Sequence, residues 1–264
     1  MTISSDPFAR RFAELAARQR SALVVYITAG HPDFERSLEF MQALGEAGAD
    51  FIEAGVPFSD PLADGPVIQA SSQRALDAGM TFDRSLELIA RAKLAQPVVL
   101  FTYLNPLLAA GSDALERAAS AGASGVLVTD LPLGADPDLE ERIAGGPLAF
   151  IRLVAPTTPA ARMADIAKHG SGFVYLISRT GVTGLRSELP PELPATVERL
   201  RSATALPICV GFGISTPPQA AAVARLADGV VVGSAVVRAA DSSVAEALAL
   251  VRSLREAMNE IGAA

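Results

Sequence analysis

Three carboxylates lie close together in one stretch of the sequence, on Glu53, Asp60 and Asp64. Glu53 ends a short apolar run that is typical of a buried strand, and the two aspartates follow in a loop stiffened by three prolines. Glutamate is rarely buried without a partner, because removing a charge from water costs free energy. Asp60 and Asp64 also fit ordinary turn chemistry, since each precedes Pro or Gly. Together the three groups can supply a general acid, a general base and a charge stabiliser, so the stretch predicts proton-transfer catalysis.

The other reactive side chains are few, and their scarcity excludes several kinds of enzyme. The chain has two lysines, two histidines and one cysteine. A Schiff-base lysine, a multi-histidine metal site or a catalytic cysteine relay would need residues that this chain hardly has. We interpret His31 as structural and Cys209 as a small core residue of a predicted strand. The arginine-rich segments that contain Arg11 and Arg255 are interpreted as solvated helix faces.

Two glycine-rich turns, at residues 210–215 and 232–235, point to an anion site. Each follows a predicted strand and leads into a helical segment. Backbone N–H groups at a helix N-terminus bind phosphate, and glycine lets the anion approach closely. Either turn alone is also typical of a plain strand end. Because both occur in the same chain, we expect a phosphorylated substrate.

Strand and helix patterns alternate along the chain and indicate how these groups are positioned. Residues 6–19 are predicted to form an amphipathic helix, and residues 22–28 a continuous apolar strand of the kind buried in a parallel sheet. Eight strands follow from the alternation, which predicts a (β/α)8 TIM barrel with an extra N-terminal helix, as a single domain over residues 1–264. The alternative is an open doubly wound sheet, which usually has fewer strands and a glycine-rich first turn that is absent here. Four of the helices run into small-residue turns in which glycine is expected to be left-handed, at residues 47–50, 121–124, 169–172 and 226–229.

Residues at the carboxyl ends of barrel strands face the active site. By that rule the second strand contributes Glu53, and the third, fourth and sixth contribute Tyr103, Asp130 and Tyr175. Each tyrosine is also compatible with a core position, and Asp130 with a simple turn. Two long segments without periodicity are predicted to be working loops, residues 55–65 and 179–191.

The overall composition is that of a soluble globular protein. Half of the 264 residues are apolar and 19% are charged, and the formal net charge is −7. A negative balance argues against nucleic acid or an anionic membrane as a partner. We expect no signal peptide and no membrane span, because charges interrupt the apolar stretches. A single cysteine suits a reducing compartment, so we expect a cytoplasmic protein.

The carboxylate stretch closely resembles the signature of the tryptophan synthase alpha chain family. It reads EAGVPFSDPLADGP over residues 53–66. The resemblance spans nearly the whole chain and continues in order through YLNP at 103–106, DLP at 130–132, YLISRTGVTG at 175–184 and GFGI at 211–214.

This resemblance implies an activity and a partner. The activity is cleavage of indole-3-glycerol phosphate to indole and glyceraldehyde 3-phosphate. The partner is a beta chain that carries pyridoxal phosphate and converts indole to tryptophan, in an alpha-beta-beta-alpha complex with allosteric coupling. No cofactor and no metal is implied for this chain itself.

The resemblance also implies roles for single residues. Glu53 and Asp64 match the family's catalytic glutamate and aspartate, and Asp60 matches a loop that faces the beta chain. Thr183 matches the loop residue that touches Asp64 on closure. Tyr103 and Asp130, which the strand-end rule places at the barrel rim, are expected to complete the substrate site. The remaining matches are Tyr175 near the glycerol portion, Gly184, Gly213, Gly233 and Ser234 with the flanking Phe212 at the phosphate, and Tyr26, Phe101, Leu127 and Leu153 as the apolar wall around the indole.

One departure from the family pattern is visible, at residues 133–135, where relatives commonly carry acidic residues. It affects the expected shape of the fourth βα loop rather than the activity. Two other functions remain as alternatives at this point. One is a phosphate-sugar barrel isomerase or lyase that uses Glu53 as base, and the other is a barrel retained mainly as an allosteric or structural subunit.

Overall fold

The computed structural model describes residues 6–178, 189–211 and 213–260. Within these ranges every paired strand runs parallel to its neighbour, in the order β5-β4-β3-β2-β1-β9-β8-β7-β6. The strands are β1 (Ala22–Thr28), β2 (Phe51–Gly55), β3 (Val98–Thr102), β4 (Ala123–Val128), β5 (Ala149–Phe150), β6 (Arg152–Val154), β7 (Val174–Ile177), β8 (Ile208–Gly211) and β9 (Gly229–Val232).

The nine segments correspond to the eight predicted strands, because the fifth strand is broken in two at Ile151. The first half, β5, pairs with β4, and the second half, β6, pairs with β7. The Ile151 N–H between them donates to the carbonyl of Val126 at 2.9 Å. Both edges of the sheet therefore belong to one short stretch of chain, which closes the sheet into a barrel. The predicted TIM barrel is confirmed.

Helices alternate with the strands as the sequence predicts. The opening helix, α1, is capped by Asp6, whose side chain accepts the N–H of Phe8. In the described ranges the helices are α1 (Pro7–Ala17), α2 (Phe34–Ala47), α3 (Pro66–Asp77), α4 (Phe82–Ala92), α5 (Leu104–Ala109), α6 (Ala114–Ala121), α7 (Pro137–Ala144), α8 (Ala160–Lys168), α9 (Leu193–Arg201), α10 (Pro217–Ala224), α11 (Ser234–Ser242) and α12 (Val244–Asn259).

The glycines in the small-residue turns do not all have the predicted role. Gly48 and Gly122 end α2 and α6 in the left-handed conformation, with φ of 109° and 107°. At the other two turns the helices end at His169 and Arg225 without a left-handed cap. The turn at 169–172 still contains a left-handed glycine, Gly172 with φ of 76°, three residues after the helix ends, whereas at 226–229 the prediction is wrong. Gly229 instead allows close packing, because a Cβ there would lie 2.5 Å from the sulfur of Cys209.

The barrel interior is closed at its amino end by aromatic rings. Helix α1 lies across this end and places Phe8 and Phe12 against Phe51 of β2, with ring centroids 5.5 and 4.8 Å apart. Phe173, just before β7, joins the cluster at 6.0 Å from Phe8. Phe8, Phe51 and Phe173 are fully buried. A second apolar core fills the space between the sheet and the outer helices.

A buried charge network ties the helices α1 and α12 to the barrel and corrects the interpretation of the arginine-rich helices. Asp50 is 2% exposed and accepts the Leu23 N–H at 2.9 Å. Its carboxylate also pairs with Arg255 of α12 and, at 2.6 Å, with Arg11 of α1. Arg255 is buried and donates further to the carbonyls of Gly48 and Ser21. These two arginines are therefore structural and not simply solvated.

Candidate active site

An open cavity of about 580 Å³ lies over the carboxyl ends of the barrel strands. Its position at the carboxyl-terminal face is the one that active sites occupy in this fold. The lining residues are Tyr26, Glu53, Asp64, Ile68, Phe101, Tyr175, Gly213, Ile214, Ser215, Val231, Gly233, Ser234 and Ala235.

Glu53 is the acidic group at the bottom of this cavity. It lies in the middle of β2 rather than at its end, because Ala54 and Gly55 continue the pairing with β1 and β3. The side chain is 1% exposed, and among the described residues its Oε1 has no hydrogen-bond partner. Burial raises the pKa of Glu53 to about 8, since the charged form has lost its water. Near neutral pH this carboxyl group therefore holds a proton.

Two buried tyrosines stand beside Glu53. Tyr26 pairs with Glu53 across β1 and β2, and Tyr175 lies on β7. Burial is the main reason that the pKa of each phenol is raised well above its usual range, and the charge of Glu53 contributes. Each ring fits because the neighbouring strand has a glycine. A Cβ on Gly55 would lie 2.1 Å from the Tyr26 hydroxyl, and one on Gly211 would lie 2.2 Å from that of Tyr175.

Asp64 approaches the cavity from the loop that follows β2. Tyr103 holds this loop, since its hydroxyl accepts the Ala63 N–H at 3.0 Å and hydrogen-bonds to the Asp64 carboxylate. Burial raises the pKa of Asp64 to about 6, against the lowering effect of the Tyr103 hydrogen bond. At neutral pH Asp64 is therefore mostly ionised, whereas Glu53 is mostly neutral. Carboxyl groups whose pKa values are separated in this way suit different roles in one site.

Another part of the cavity lining has the features of an anion site. Helix α11 begins at Ser234, directly after β9, and Gly233 at its N-terminus has no capping side chain. Among the described residues no side chain caps this turn, and glycine permits close approach of an anion to the first N–H groups. The turn after β8 contributes Gly213 with φ of 84°, but α10 begins only at Pro217. Of the two predicted turns, one leads directly into a helix.

The structure brings most, but not all, of the predicted site residues to the cavity. Tyr103 acts through the Asp64 loop, and Leu127 is fully buried in the barrel interior. Asp130 is exposed and accepts the Leu104 N–H at the start of α5, at 2.6 Å. Leu153 lines a neighbouring cavity beside α8. Thr183, Gly184 and Phe212 lie outside the described residues.

Several lining residues were not among the predicted ones. Ile68 lies in the first turn of α3. Val231 lies on the inward face of β9, two residues before Gly233. The alternation of strand residues would have indicated Val231, whereas nothing in the sequence distinguishes Ile68.

In the described ranges, no group of three or more His, Cys, Asp or Glu side chains is placed to hold a metal ion. No helix in those ranges has the length and apolarity needed to cross a membrane.

Comparisons with known proteins agree on one family. The model of the family "Tryptophan synthase alpha chain" matches residues 12–264. The tryptophan synthase alpha chain of Gluconacetobacter diazotrophicus is 49% identical over 240 residues, covering 89% of this chain and 88% of that one. That of Desulfatibacillum aliphaticivorans is 50% identical, covering 85% and 86%.

Solved structures give the same result. A chain of Mycobacterium tuberculosis tryptophan synthase superposes with a TM-score of 0.89 at 35% identity, covering 97% of this chain and 99% of that one. Tryptophan synthase subunit alpha of Legionella pneumophila superposes with a TM-score of 0.88 at 35% identity, covering 98% and 100%.

Proposed function

Since the chain belongs to the tryptophan synthase alpha chain family and cleaves indole-3-glycerol phosphate as a lyase of tryptophan biosynthesis, we propose that Glu53 and Asp64 carry out this chemistry. The observation that supports the proposal most is the pair of carboxyl groups in one cavity, one neutral and one ionised near neutral pH. A retro-aldol cleavage needs one group of each kind.

Glu53 performs both proton transfers in this proposal. Its neutral carboxyl group donates a proton to C3 of the indole, which turns the ring into an electron sink. The resulting carboxylate then takes the proton of the neighbouring glycerol hydroxyl. As the carbonyl forms, the bond between C3 and the glycerol carbon breaks and its electron pair returns to the indole. Glu53 ends the cycle protonated, as it began, so the proton balance is closed.

Asp64 stabilises the charge that develops during these steps. Protonation at C3 leaves a positive charge on the indole nitrogen, and an ionised carboxylate that accepts the N–H stabilises it. Tyr103 keeps Asp64 in place through its hydrogen bonds to Ala63 and Asp64. The phosphate binds at the start of α11 with the backbone of Gly213, Gly233 and Ser234. This anchor fixes the reacting bond between the two carboxyl groups. Thr183, Gly184 and Phe212 complete the site, and Tyr26, Phe101, Leu127 and Leu153 surround the indole.

The two carboxyl groups predict a bell-shaped pH dependence of kcat/KM. The rate falls below about pH 6, where Asp64 is protonated, and above about pH 8, where Glu53 is ionised.

Asp64→Asn should lower kcat by about 10²–10³-fold, as is usual for the loss of one such interaction. Tyr103→Phe should move only the acid limb, and to higher pH, because the lost hydrogen bond favours the ionised form of Asp64.

The acid limb has a second candidate, the substrate phosphate, whose second pKa is also about 6. No substitution in the protein changes the free substrate, so a shift in Tyr103→Phe identifies Asp64. The measurement is indole release against pH for the folded variants. Near-normal turnover by Asp64→Asn would contradict the proposed role of this residue.

The catalytic groups of this proposal all come from the protein, so no cofactor is assigned to the chain. Pyridoxal phosphate is assigned to a partner beta chain, which receives the indole within an allosteric alpha-beta-beta-alpha complex. We also propose a cytoplasmic location and one barrel domain over residues 1–264. The buried free thiol of Cys209 is consistent with that compartment.

A surface beside the site suits the beta chain. Among the described residues, Leu62 and Leu108 are the exposed large hydrophobic side chains, at 88% and 54%. Leu62 lies on the loop that carries Asp64, and Leu108 lies on α5. The two elements are in contact, since Phe58 and Tyr103 pack with ring centroids 5.3 Å apart. Exposed apolar residues grouped in this way mark interaction sites, and Asp60 on the same loop is also exposed.

Leu62→Ser combined with Leu108→Ser should therefore weaken binding of a tryptophan synthase beta chain. Burying one leucine contributes about 1.5–3 kcal/mol, so we expect Kd to rise by about 10-fold or more. Isothermal titration calorimetry measures this, with Leu94→Ser at the opposite end of the barrel as control. An unchanged Kd in the double variant would place the interface elsewhere.

A further inference from the structure

Helix α1 lies directly beneath the proton-transfer group, at the other end of the barrel interior. Phe51 and Glu53 are two residues apart on β2, so their side chains point to the same, inward face. Phe173 and Tyr175 have the same spacing at β7. The rings of Phe51 and Phe173 thus form the floor under Glu53 and Tyr175.

This floor is completed by α1. The Phe8 ring stacks on Phe51 with planes 7° apart, and the Phe12 ring packs on Phe51 at 4.8 Å and on Phe173 at 6.3 Å. Phe8 is fully buried, whereas Phe12 is half-buried at the outer edge of the cluster. Arg11 holds the helix in this position through Asp50. Without α1, the inner face of Phe51 would meet solvent.

The groups that face Glu53 show what keeps its carboxyl group neutral. In the described ranges they are Tyr26 on β1, Tyr175 on β7, Cys209 on β8 and Asp64 on the loop after β2. All are neutral or negative, and α1 contributes only apolar side chains to this interior cluster, those of Phe8, Phe12 and Leu15. Burial is the cause that raises the pKa of Glu53. The exclusion of water below Glu53 is therefore part of what makes it an acid.

We propose that α1 is a functional part of the active site, in which Phe8 and Phe12 close the barrel beneath Glu53 and exclude water from its carboxyl group. The two phenylalanines are positioning residues, because they act through Phe51 and touch no substrate. The inference rests on the proposed role of Glu53. In this proposal α1 contributes to catalysis as well as covering the amino end of the barrel.

The first test is the pH profile of indole release by Phe12→Ala, with the milder Phe12→Val as a second variant if the first folds poorly. Admitting water should lower the pKa of Glu53 and move the alkaline limb of kcat/KM down by about one pH unit. Phe8→Leu keeps the floor apolar and should retain the wild-type profile. The control is Leu88→Ala, at a fully buried position of α4 in the core outside the sheet. If Phe12→Ala or Phe12→Val only unfolds more easily and its profile superposes on the wild type, α1 is purely structural.

A second test needs no activity. Glu53→Gln removes the ionisable group, and its effect on the free energy of unfolding should depend on pH. The difference between the effects at pH 6 and pH 9 should shrink by about half in the Phe12→Ala background and stay unchanged in the Leu88→Ala background. An unchanged difference in both backgrounds overturns the proposal. Full activity of Glu53→Gln would instead remove the proposed function, so the two failures are distinguishable.

Discussion

Replacing Glu53 by glutamine is expected to abolish indole release and to stabilise the folded protein at the same time. The activity should fall by about 10³-fold or more, because both proton transfers lose their group and each well-placed group contributes ~10²–10⁴-fold. Glutamine has nearly the same shape, so the barrel interior is not disturbed. The stabilisation follows from the burial of an ionisable group that has no partner for its Oε1 among the described residues.

The stabilisation should depend on pH in a defined direction. Below about pH 4.5 the carboxyl group is protonated in the folded and unfolded chain, and its ionisation has no effect on stability. Between about pH 4.5 and about 8 the unfolded chain gives up the proton while the folded protein keeps it, so the wild type loses stability as pH rises. Above about pH 8 the full cost is present, about 5 kcal/mol at 1.36 kcal/mol for each pH unit. Glu53→Gln avoids this cost.

Urea unfolding of both proteins at pH 6 and pH 9 measures the effect. The variant should be more stable by several kcal/mol at pH 9 and by less at pH 6. Glu39→Gln, at an exposed position on α2, is the control and should show little difference at either pH. Equal stabilisation at both values would mean that Glu53 does not keep its proton in the folded protein.

The second large effect is expected at the opposite end of the barrel. Asp50→Ala leaves the buried guanidinium of Arg255 without its counter-ion and also removes one of the two carboxylate partners of Arg11, the other being Glu14. Breaking a buried pair from one side usually costs about 3–5 kcal/mol, because a charge remains buried and unpaired. A loss of this size would remove a large share of the stability of an ordinary domain.

Arg11→Ala provides the comparison. The Arg11 side chain is 29% exposed, whereas that of Arg255 is 7% exposed. Removing Arg11 should therefore lower the free energy of unfolding by only about 1 kcal/mol or less. Chemical denaturation of the variants measures both effects. Equal losses of stability for Asp50→Ala and Arg11→Ala would show that Arg255 does not depend on Asp50.

Much of this architecture could be predicted from local sequence patterns. The strand and helix periods, with Asp6 as a helix cap, predict the barrel and its extra helix, because these signals depend only on residues that are close together in the chain. The two carboxylates stand out because burying them is costly. The Asp50–Arg255 pair was not predictable in this way, since 205 residues separate its members and each looks like an ordinary surface residue. The roles of Tyr103 and Asp130 likewise depend on contacts between different loops, which no local pattern shows.

The tyrosine–glycine pairs at the bottom of the cavity have a consequence for how such sequences diverge. Tyr26 fits only because Gly55 leaves its space empty, and Tyr175 depends on Gly211 in the same way. A larger residue at either glycine is tolerated only after the facing tyrosine has become smaller. The two positions of each pair are therefore expected to change together along a lineage, with the tyrosine replaced first, and the order of substitutions matters as much as their identity.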